Sequence, residues 1–598
     1  MFGGSSLHEY SEEEEDLGKI YDSVLMRRLI AYLRPYAFEV TLIVLLTLIS
    51  TATRLASPYL TKIAIDDYIV PKQLEGFRII AFYLLFLLAV EFLFSYLETY
   101  RLEMLGQRIM HDFRMQIFTH LQRVDMSFFD QNPVGRLMTR VMGDVSALNE
   151  LYTYGIITIV ANLLSIGGIM FMMLWINWQL ALVTFIVLPI ILVMTTVYQI
   201  YSRRAFRDQR KFRAQINAFL QESIVGMTTM QLFTREHRSF EKFGEHNQKY
   251  LDSSIRSVFY FSVFFPMIEI TGSLATAVII WYGGGQIIQN NLSFGALVAF
   301  FQYAQRLFWP IRELSEKYTI FQRAMASSER VFDLLDTQPK IMDSSHPKQL
   351  QTMNSSIEFQ NVSFAYKDDD YVLNNVSFRI EPGEKVAIVG ATGSGKTTLI
   401  NLLCRFYDIE EGQILIDGLD IQQMKLDSLR KRIGIVQQDI FLFTGTIGNN
   451  INLSNTTIQP DQIVAAAKEV YLDPFVQNMP NGYESEVKEG GSGLSVGQKQ
   501  LVAFARALAF NPDILILDEA TSSVDTETEH LIQGALSRLM SNRTFIAIAH
   551  RLSTIQNVDK ILVMHRGQLR EMGSHNQLLQ KRGLYYRLYQ LQYKDQKI

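Results

Sequence analysis

The chain has 598 residues, and its 56 Lys and Arg nearly balance 60 Asp and Glu for a formal charge of −4. That balance excludes a nucleic-acid footprint, and the length exceeds a single domain of about 100 to 200 residues. One cysteine, Cys404, excludes an intramolecular disulfide and fits a reducing cytoplasm; no reactive role is expected of it.

In chain order, the acidic run "SEEEED" (Ser11 to Asp16) reads as a solvated tail with no assigned function. It precedes the first apolar run, so no cleavable signal peptide is expected. Six apolar segments follow, near 37–60, 78–98, 153–176, 178–198, 259–288 and 293–314. About 20 apolar residues suffice for a helix to cross a hydrocarbon core of about 30 Å. The fourth is the most apolar; the sixth contains Arg306 and Arg312 and is the one that most resembles a buried helix of a soluble protein.

Loops after the first, third and fifth segments are short and poor in Lys and Arg, whereas those after the second and fourth carry clusters such as "RRAFRDQRKFR" (Arg203 to Arg213). The positive-inside rule then puts the N-terminus, both long loops and the C-terminal half in the cytoplasm. Each long loop has about 50 to 60 residues of helical composition, enough for two antiparallel arms reaching roughly 30 Å below the membrane to the soluble domain. Arg54, Glu91 and Glu269 interrupt the apolar segments. A mid-bilayer charge costs about 2.5 to 3.5 kcal/mol, so these are expected to face protein or a watery cavity, or, for Arg54, to snorkel. Phe300, Tyr303 and Phe308, with Glu269, are candidates for a substrate path, against the alternative that they pack between helices or face lipid.

From about Asp343 onward the sequence changes to short strands, helices and Gly/Asp turns. "VAIVGATGSGKTTLINLL" is an apolar strand, a glycine-rich turn and a helix, the context a P-loop requires. Gly390, Gly395, Lys396 and Thr397 fit its spacing, and Thr392, Gly393, Ser394 and Thr398 complete the candidate phosphate-binding set. Backbone N–H groups of such a turn wrap phosphates, the lysine reaches the β/γ-phosphates, and the threonine hydroxyl can hold Mg²⁺. "DILILDEATSSVD" is a buried strand ending in Asp518, a candidate Mg²⁺ ligand, and Glu519, placed to polarise an attacking water. His550 ends the apolar strand of "TFIAIAHRLSTI", and Gln438 follows that of "IGIVQQDIFLF". By themselves these two also read as a surface histidine and a turn amide.

The ordered set "FAYKD", "GATGSGKTT", "VQQD", "LSVGQ", "LILDEA", "SSVD" and "AHR" resembles the ATPase domain of ABC transporters, and the six segments before it resemble a type IV exporter half-transporter. The resemblance implies that Tyr366 stacks on adenine and that Gln438 senses Mg²⁺ and the membrane arms. It further implies Glu519 as catalytic base, His550 at the γ-phosphate, and Asp525 in the turn joining two sites. Ser495, Gly497 and Gln498 would belong to the signature that closes over ATP on the opposite subunit. "MSFFDQNPVGRL" and "ESIVGMTTMQLFTRE" resemble the two coupling regions of the membrane arms.

The signature departs from the family's usual Leu-Ser-Gly-Gly-Gln at Val496, and Leu501 follows Gln500 where arginine is common. Valine adds bulk where close backbone approach is wanted and disfavours positive φ. The chain's own P-loop set is intact, so the expectation is an asymmetric heterodimer, similar to bacterial heterodimeric multidrug exporters, whose partner has an intact signature; the alternative is a homodimer tolerating valine.

The expected fold is an all-α six-helix membrane domain with long cytoplasmic arms, then a soluble α/β P-loop ATPase. The expected boundaries are a tail at 1–23, the transmembrane domain at 24–335, a linker at 336–355 and the ATPase domain at 356–598. The expected function is ATP- and Mg²⁺-dependent export of amphipathic small molecules or drugs across the cytoplasmic membrane. Alternatives are a lipid or peptide exporter and an ATP-gated channel or regulator; six membrane segments argue against a soluble ABC ATPase.

Overall fold

The computed structural model describes residues 23–344, 346–348, 354–367, 370–518, 526–541, 543–548 and 555–593. Glu519, Asp525, His550 and the acidic run lie outside them. The chain divides into a helical unit, Met1–Gln122 with Pro133–Thr337, and a second unit, Gln338–Ile598 together with Arg123–Asn132.

In the helical unit, a short helix α1 (Ser23–Ala31) precedes a continuous helical stretch α2 (Arg34–Ile69) and α3 (Leu74–Leu121). The six-residue helix α4 (Met126–Gln131) belongs to the second unit. Then come α5 (Val134–Ile176), α6 (Trp178–Val225), α7 (Glu236–Ile288) and α8 (Phe294–Asp336). Five of these, α2, α3, α5, α6 and α7, are long and apolar enough to cross a membrane; α8 is a sixth long helix, richer in charge. The 48 residues of α3 span about 70 Å, more than twice a hydrocarbon core, so the membrane helix runs on into its arm without a break.

Chemistry within this unit follows the cost of burying charge. Arg54 of α2 pairs with Glu91 of α3 at 3.4 Å and donates to the Ser95 hydroxyl at 3.2 Å, while Thr47 donates to Glu98 at 2.9 Å. Arg306 of α8 donates to the Arg54 carbonyl. Charges in apolar helices are thereby given partners on neighbouring helices. Phe300 and Tyr303 are fully buried and pack with Met173, Leu180 and Ile279; the Tyr303 hydroxyl donates to the Leu55 carbonyl. Here they hold helices together and do not line a path. Glu269 is exposed, and the side chain of Phe308 lies outside the described residues.

The second unit has two sheets. β1 (Ile357–Ala365), β2 (Tyr371–Ile380), β4 (Glu411–Ile416) and β5 (Leu419–Asp420) form an antiparallel sheet in the order β2-β1-β4-β5. A six-stranded sheet has the order β12-β11-β3-β10-β9-β6, from β3 (Lys385–Val389), β6 (Ile433–Val436), β9 (Ile514–Asp518), β10 (Thr544–Ile548), β11 (Lys560–His565) and β12 (Gln568–Gly573). The short pair β7 (Gly445–Thr446) and β8 (Glu486–Val487) completes the strands. Runs such as "VAIV", "ILIL" and "FIAI" are buried on both faces, as parallel strands covered by helices must be. One core joins the large sheet to the helix Val496–Ala509; the other lies between the sheets and includes Leu399, Leu402 and Cys404.

Candidate nucleotide site

Strands β3, β10, β9 and β6 are parallel neighbours, and their registers align Ile548 with both Ile388 and Asp518, and Val436 with Leu517. Their C-terminal ends therefore share one edge, where open α/β sheets bind ligands. The glycine turn leaves β3, Asp518 ends β9, and Gln438 follows β6, exposed. Sequence pattern gave each strand separately; the edge they share comes from the strand order.

The turn runs into helix α9 (Lys396–Leu403). Gly393 and Gly395 have φ of +78° and +97°, the left-handed region where a side chain is strained. Gly390 has a different constraint: a Cβ there would lie 2.4 Å from the Met564 carbonyl oxygen and 2.6 Å from the Ser394 hydroxyl. Gly390 therefore packs against the Met564 carbonyl more closely than any side chain would allow. The Ser394 hydroxyl is buried and has no hydrogen-bond partner among the described residues. A buried orphan in a turn of small residues fits an incoming phosphate oxygen.

Lys396 folds over this turn, donating to the Gly390 and Ala391 carbonyls at 2.9 and 3.0 Å. Burial pushes its pKa down, and the nearby Asp518 carboxylate pulls it back up. The ammonium is held by weak neutral acceptors that phosphate oxygens can replace at little cost. Thr397 is exposed in the first turn of α9, while Thr398 is buried and its Oγ1 lies 3.3 Å from the Tyr366 hydroxyl, which donates to it. Thr392 is exposed on the turn. Tyr366 follows β1 and is 43% exposed.

The signature segment is organised separately. Ser495 caps helix α10 (Val496–Ala509): its hydroxyl accepts from the Gln498 N–H at 3.2 Å, and the Gln498 side chain accepts from the Ser495 N–H at 2.8 Å. Lys499 donates to the Gly490 carbonyl at 2.8 Å. Gly497 is buried, and Leu501 packs in the core with Val502 and Phe504, so the departure from arginine there is a core substitution. Val496 is 52% exposed at the first helical position. It is not among the positive-φ residues, which corrects the expectation that valine strains a left-handed backbone; what it adds is side-chain bulk at a helix end.

Cys404, after α9, is buried, and its thiol is pushed up to about 12 by that burial. A neutral buried thiol is inert. Tyr407 carries no motif signal, yet its ring lies against Tyr366, with centroids 5.0 Å apart and planes at 89°.

Comparison with known proteins gives a family for both units. The model of the ABC transporter transmembrane region matches residues 40–311, and that of the ABC transporter matches 373–522. The chain is 36% identical to an ATP-dependent lipid A-core flippase of Syntrophus aciditrophicus, covering 96% of this chain and 95% of that one. It is 38% identical to a probable multidrug resistance ABC transporter ATP-binding/permease protein of Bacillus subtilis, over 85% of this chain and 75% of the relative. A solved structure of a bacterial Atm1-family ABC exporter with ATP bound superposes with a TM-score of 0.76 at 30% identity, covering 96% and 99% of the two chains.

Proposed function

This chain belongs to the ABC transporter family, as a membrane-embedded exporter half that binds and hydrolyses ATP, and from that premise we propose that it forms a heterodimer exporting amphipathic small molecules or drugs. The observation that carries the assignment of a competent site to this chain is the glycine turn with its orphan Ser394 hydroxyl and displaceable Lys396. Tyr366 stacks on adenine, and Gly390 to Thr398 hold the phosphates. Thr397, Asp518 and Gln438 would hold Mg²⁺. Mg²⁺ keeps several waters and takes few protein oxygens, which suits a site supplying one hydroxyl, one carboxylate and one amide. Glu519 is the base, His550 contacts the γ-phosphate, and Asp525 links the two sites of the dimer.

Ser495, Gly497 and Gln498 serve the partner's ATP. Val496 crowds that composite site, so the partner supplies the intact signature for this chain's P-loop. The N-terminus, the arms and the second unit face the cytoplasm, a reading supported by the basic clusters of the long loops. Names of relatives that include a multidrug transporter and a lipid A-core flippase support an amphipathic cargo.

Two measurements test this. The chain purified alone should have low ATPase activity that rises when it is co-expressed with a neighbouring half-transporter of intact signature; full turnover by the homodimer refutes the pairing. In that pair, Glu519→Gln should retain ATP binding and lose nearly all hydrolysis, on the order of 100-fold or more. Substantial residual turnover would remove Glu519 from the role of base.

A further inference from the structure

Tyr407 has two partners of different kinds. Its ring is perpendicular to Tyr366 and also meets Phe364, with centroids 5.8 Å apart and planes at 63°; Phe364 and Tyr366 are themselves edge-on at 4.9 Å. Three mutually edge-on rings fix one another's orientation, because each edge sits on a neighbour's face. The Tyr407 hydroxyl donates to Asp130 Oδ2, at the C-terminal end of α4. Burial and this carboxylate raise the phenol's pKa, so it stays a donor.

Both ends of the arrangement are anchored. Arg405, two residues before Tyr407, is buried in a left-handed turn and donates to Asp408 at 2.9 Å and to the Met342 carbonyl at 3.0 Å. That pins the backbone from which Tyr407 projects. At the other end, Asp125, just before α4, accepts from the Lys340 N–H at 3.0 Å, and the Asn132 side chain donates to the Phe128 carbonyl at 2.9 Å. Helix α4 is therefore held at its start by a backbone donor and at its end by the Tyr407 hydroxyl.

We propose that Tyr407 is a positioning residue that ties the base-stacking ring of the nucleotide site to α4, so that a purine settling on Tyr366 resets α4 through one ring contact and one hydrogen bond. The proposal rests on the reading that Tyr366 stacks on adenine. It differs from a route through the phosphates: inorganic triphosphate fills the glycine turn but brings no base to the Tyr366 ring, and leaves α4 unmoved.

The test uses the full-length chain, co-expressed with its half-transporter partner in nanodiscs, with an environment-sensitive thiol probe at Gln131→Cys. Gln131 is exposed on α4, and Cys404 is buried. Saturating MgATP should change the probe signal, and magnesium triphosphate should not. Tyr407→Phe keeps the ring and removes the donor; MgATP affinity should stay within about twofold while the ATP-induced signal falls at least about threefold. Asp130→Ala should do the same, with no further loss in the double variant, and Asp130→Asn, which retains an acceptor, should restore the signal. Tyr366→Ala should weaken MgATP binding by about tenfold or more.

Unchanged affinity in Tyr366→Ala sinks the base-stacking reading itself. Weakened binding there, with a full probe response in Tyr407→Phe or an equal response to triphosphate, sinks the relay alone.

Discussion

Gly393 and Gly395 both have positive φ, but only one of them has a neighbour in the way, and this separates two costs that glycine-rich turns usually confound. At Gly395 a Cβ would lie 2.6 Å from Leu373 Cδ2 and 3.2 Å from the Val372 carbonyl oxygen. Leu373 is fully buried in the core between the sheets, so it has nowhere to swing. Gly395→Ala therefore incurs about 1 to 2 kcal/mol for the left-handed backbone and about 1 to 3 kcal/mol for overpacking. At Gly393 no atom of the described residues lies within 4 Å of the added atom, so Gly393→Ala incurs the backbone cost alone. At about 1.4 kcal/mol per tenfold, the loss of MgATP affinity should be roughly 5- to 30-fold for Gly393→Ala and about 30-fold to over 1,000-fold for Gly395→Ala. The assay is MgATP titration of the full-length variants in nanodiscs, with thermal unfolding measured on the same samples. If the turn relaxes, the cost appears as lost affinity; if the fold holds the turn, it appears as a lowered transition temperature. Equal effects of the two substitutions on both readouts would refute the steric argument at Leu373.

Two further outcomes follow from the signature and from the single cysteine. Val496→Gly should raise the ATPase activity of the chain purified alone by about tenfold, equivalent to about 1.4 kcal/mol of barrier, because it removes the bulk at the start of α10; unchanged activity would mean that the valine does not limit closure. Cys404 should resist maleimide at pH 8 in the native protein and react fully after unfolding, which mass spectrometry reads directly. The sign of its pH effect is fixed by its raised pKa, about 12 in the fold against 9.0 for a free thiol. The folded state holds the proton longer than the unfolded one. Its contribution to stability is therefore complete below pH 9 and is lost as the pH rises from about 9 to about 12, seen as a falling denaturation midpoint.

Local features were legible in the sequence, and features set by tertiary choice were not. "GATGSGKTT" between an apolar strand and a helix was sufficient to place the turn, because strand, turn and helix are consecutive and their pattern is short-range. The first position of α10 was also readable: Ser495 and Gln498 have the spacing of a capping box, which the structure contains and which already argues for a helical Val496. The left-handed expectation overlooked that signal. Phe300 and Tyr303 lie in the uncharged first part of α8, Phe294 to Gln305, so periodicity did not decide whether they faced a path or a neighbour. Arg54 and Glu91 are 37 positions apart in different helices, and only packing brings them to 3.4 Å. Tyr407 sits in "CRFYDIE", with no glycine or charge pattern to mark it; its part arises from rings contributed by β1 and an acceptor almost 280 residues earlier.

The two halves of an ABC site use one physical device in two settings, and this decides what the valine can do. Helices α9 and α10 both present first-turn N–H groups that have no acceptor within the helix, a natural anion site. In α9 the preceding glycines clear the approach; in α10 Ser495 caps the helix, and its hydroxyl is engaged by Gln498. Replacing the expected glycine by Val496 leaves those backbone donors in place and adds a half-exposed side chain beside them. In the proposed pairing the consequence would be steric and graded: a composite site built on α10 would keep its attraction for a phosphate but close on it less well. A partner that seldom hydrolyses at its own P-loop would tolerate that defect, whereas the site on this chain's Lys396, with an intact signature supplied from across the dimer, would be unaffected by it. The proposed asymmetry therefore needs no lesion in this chain's own nucleotide chemistry, only one side chain at the start of one helix.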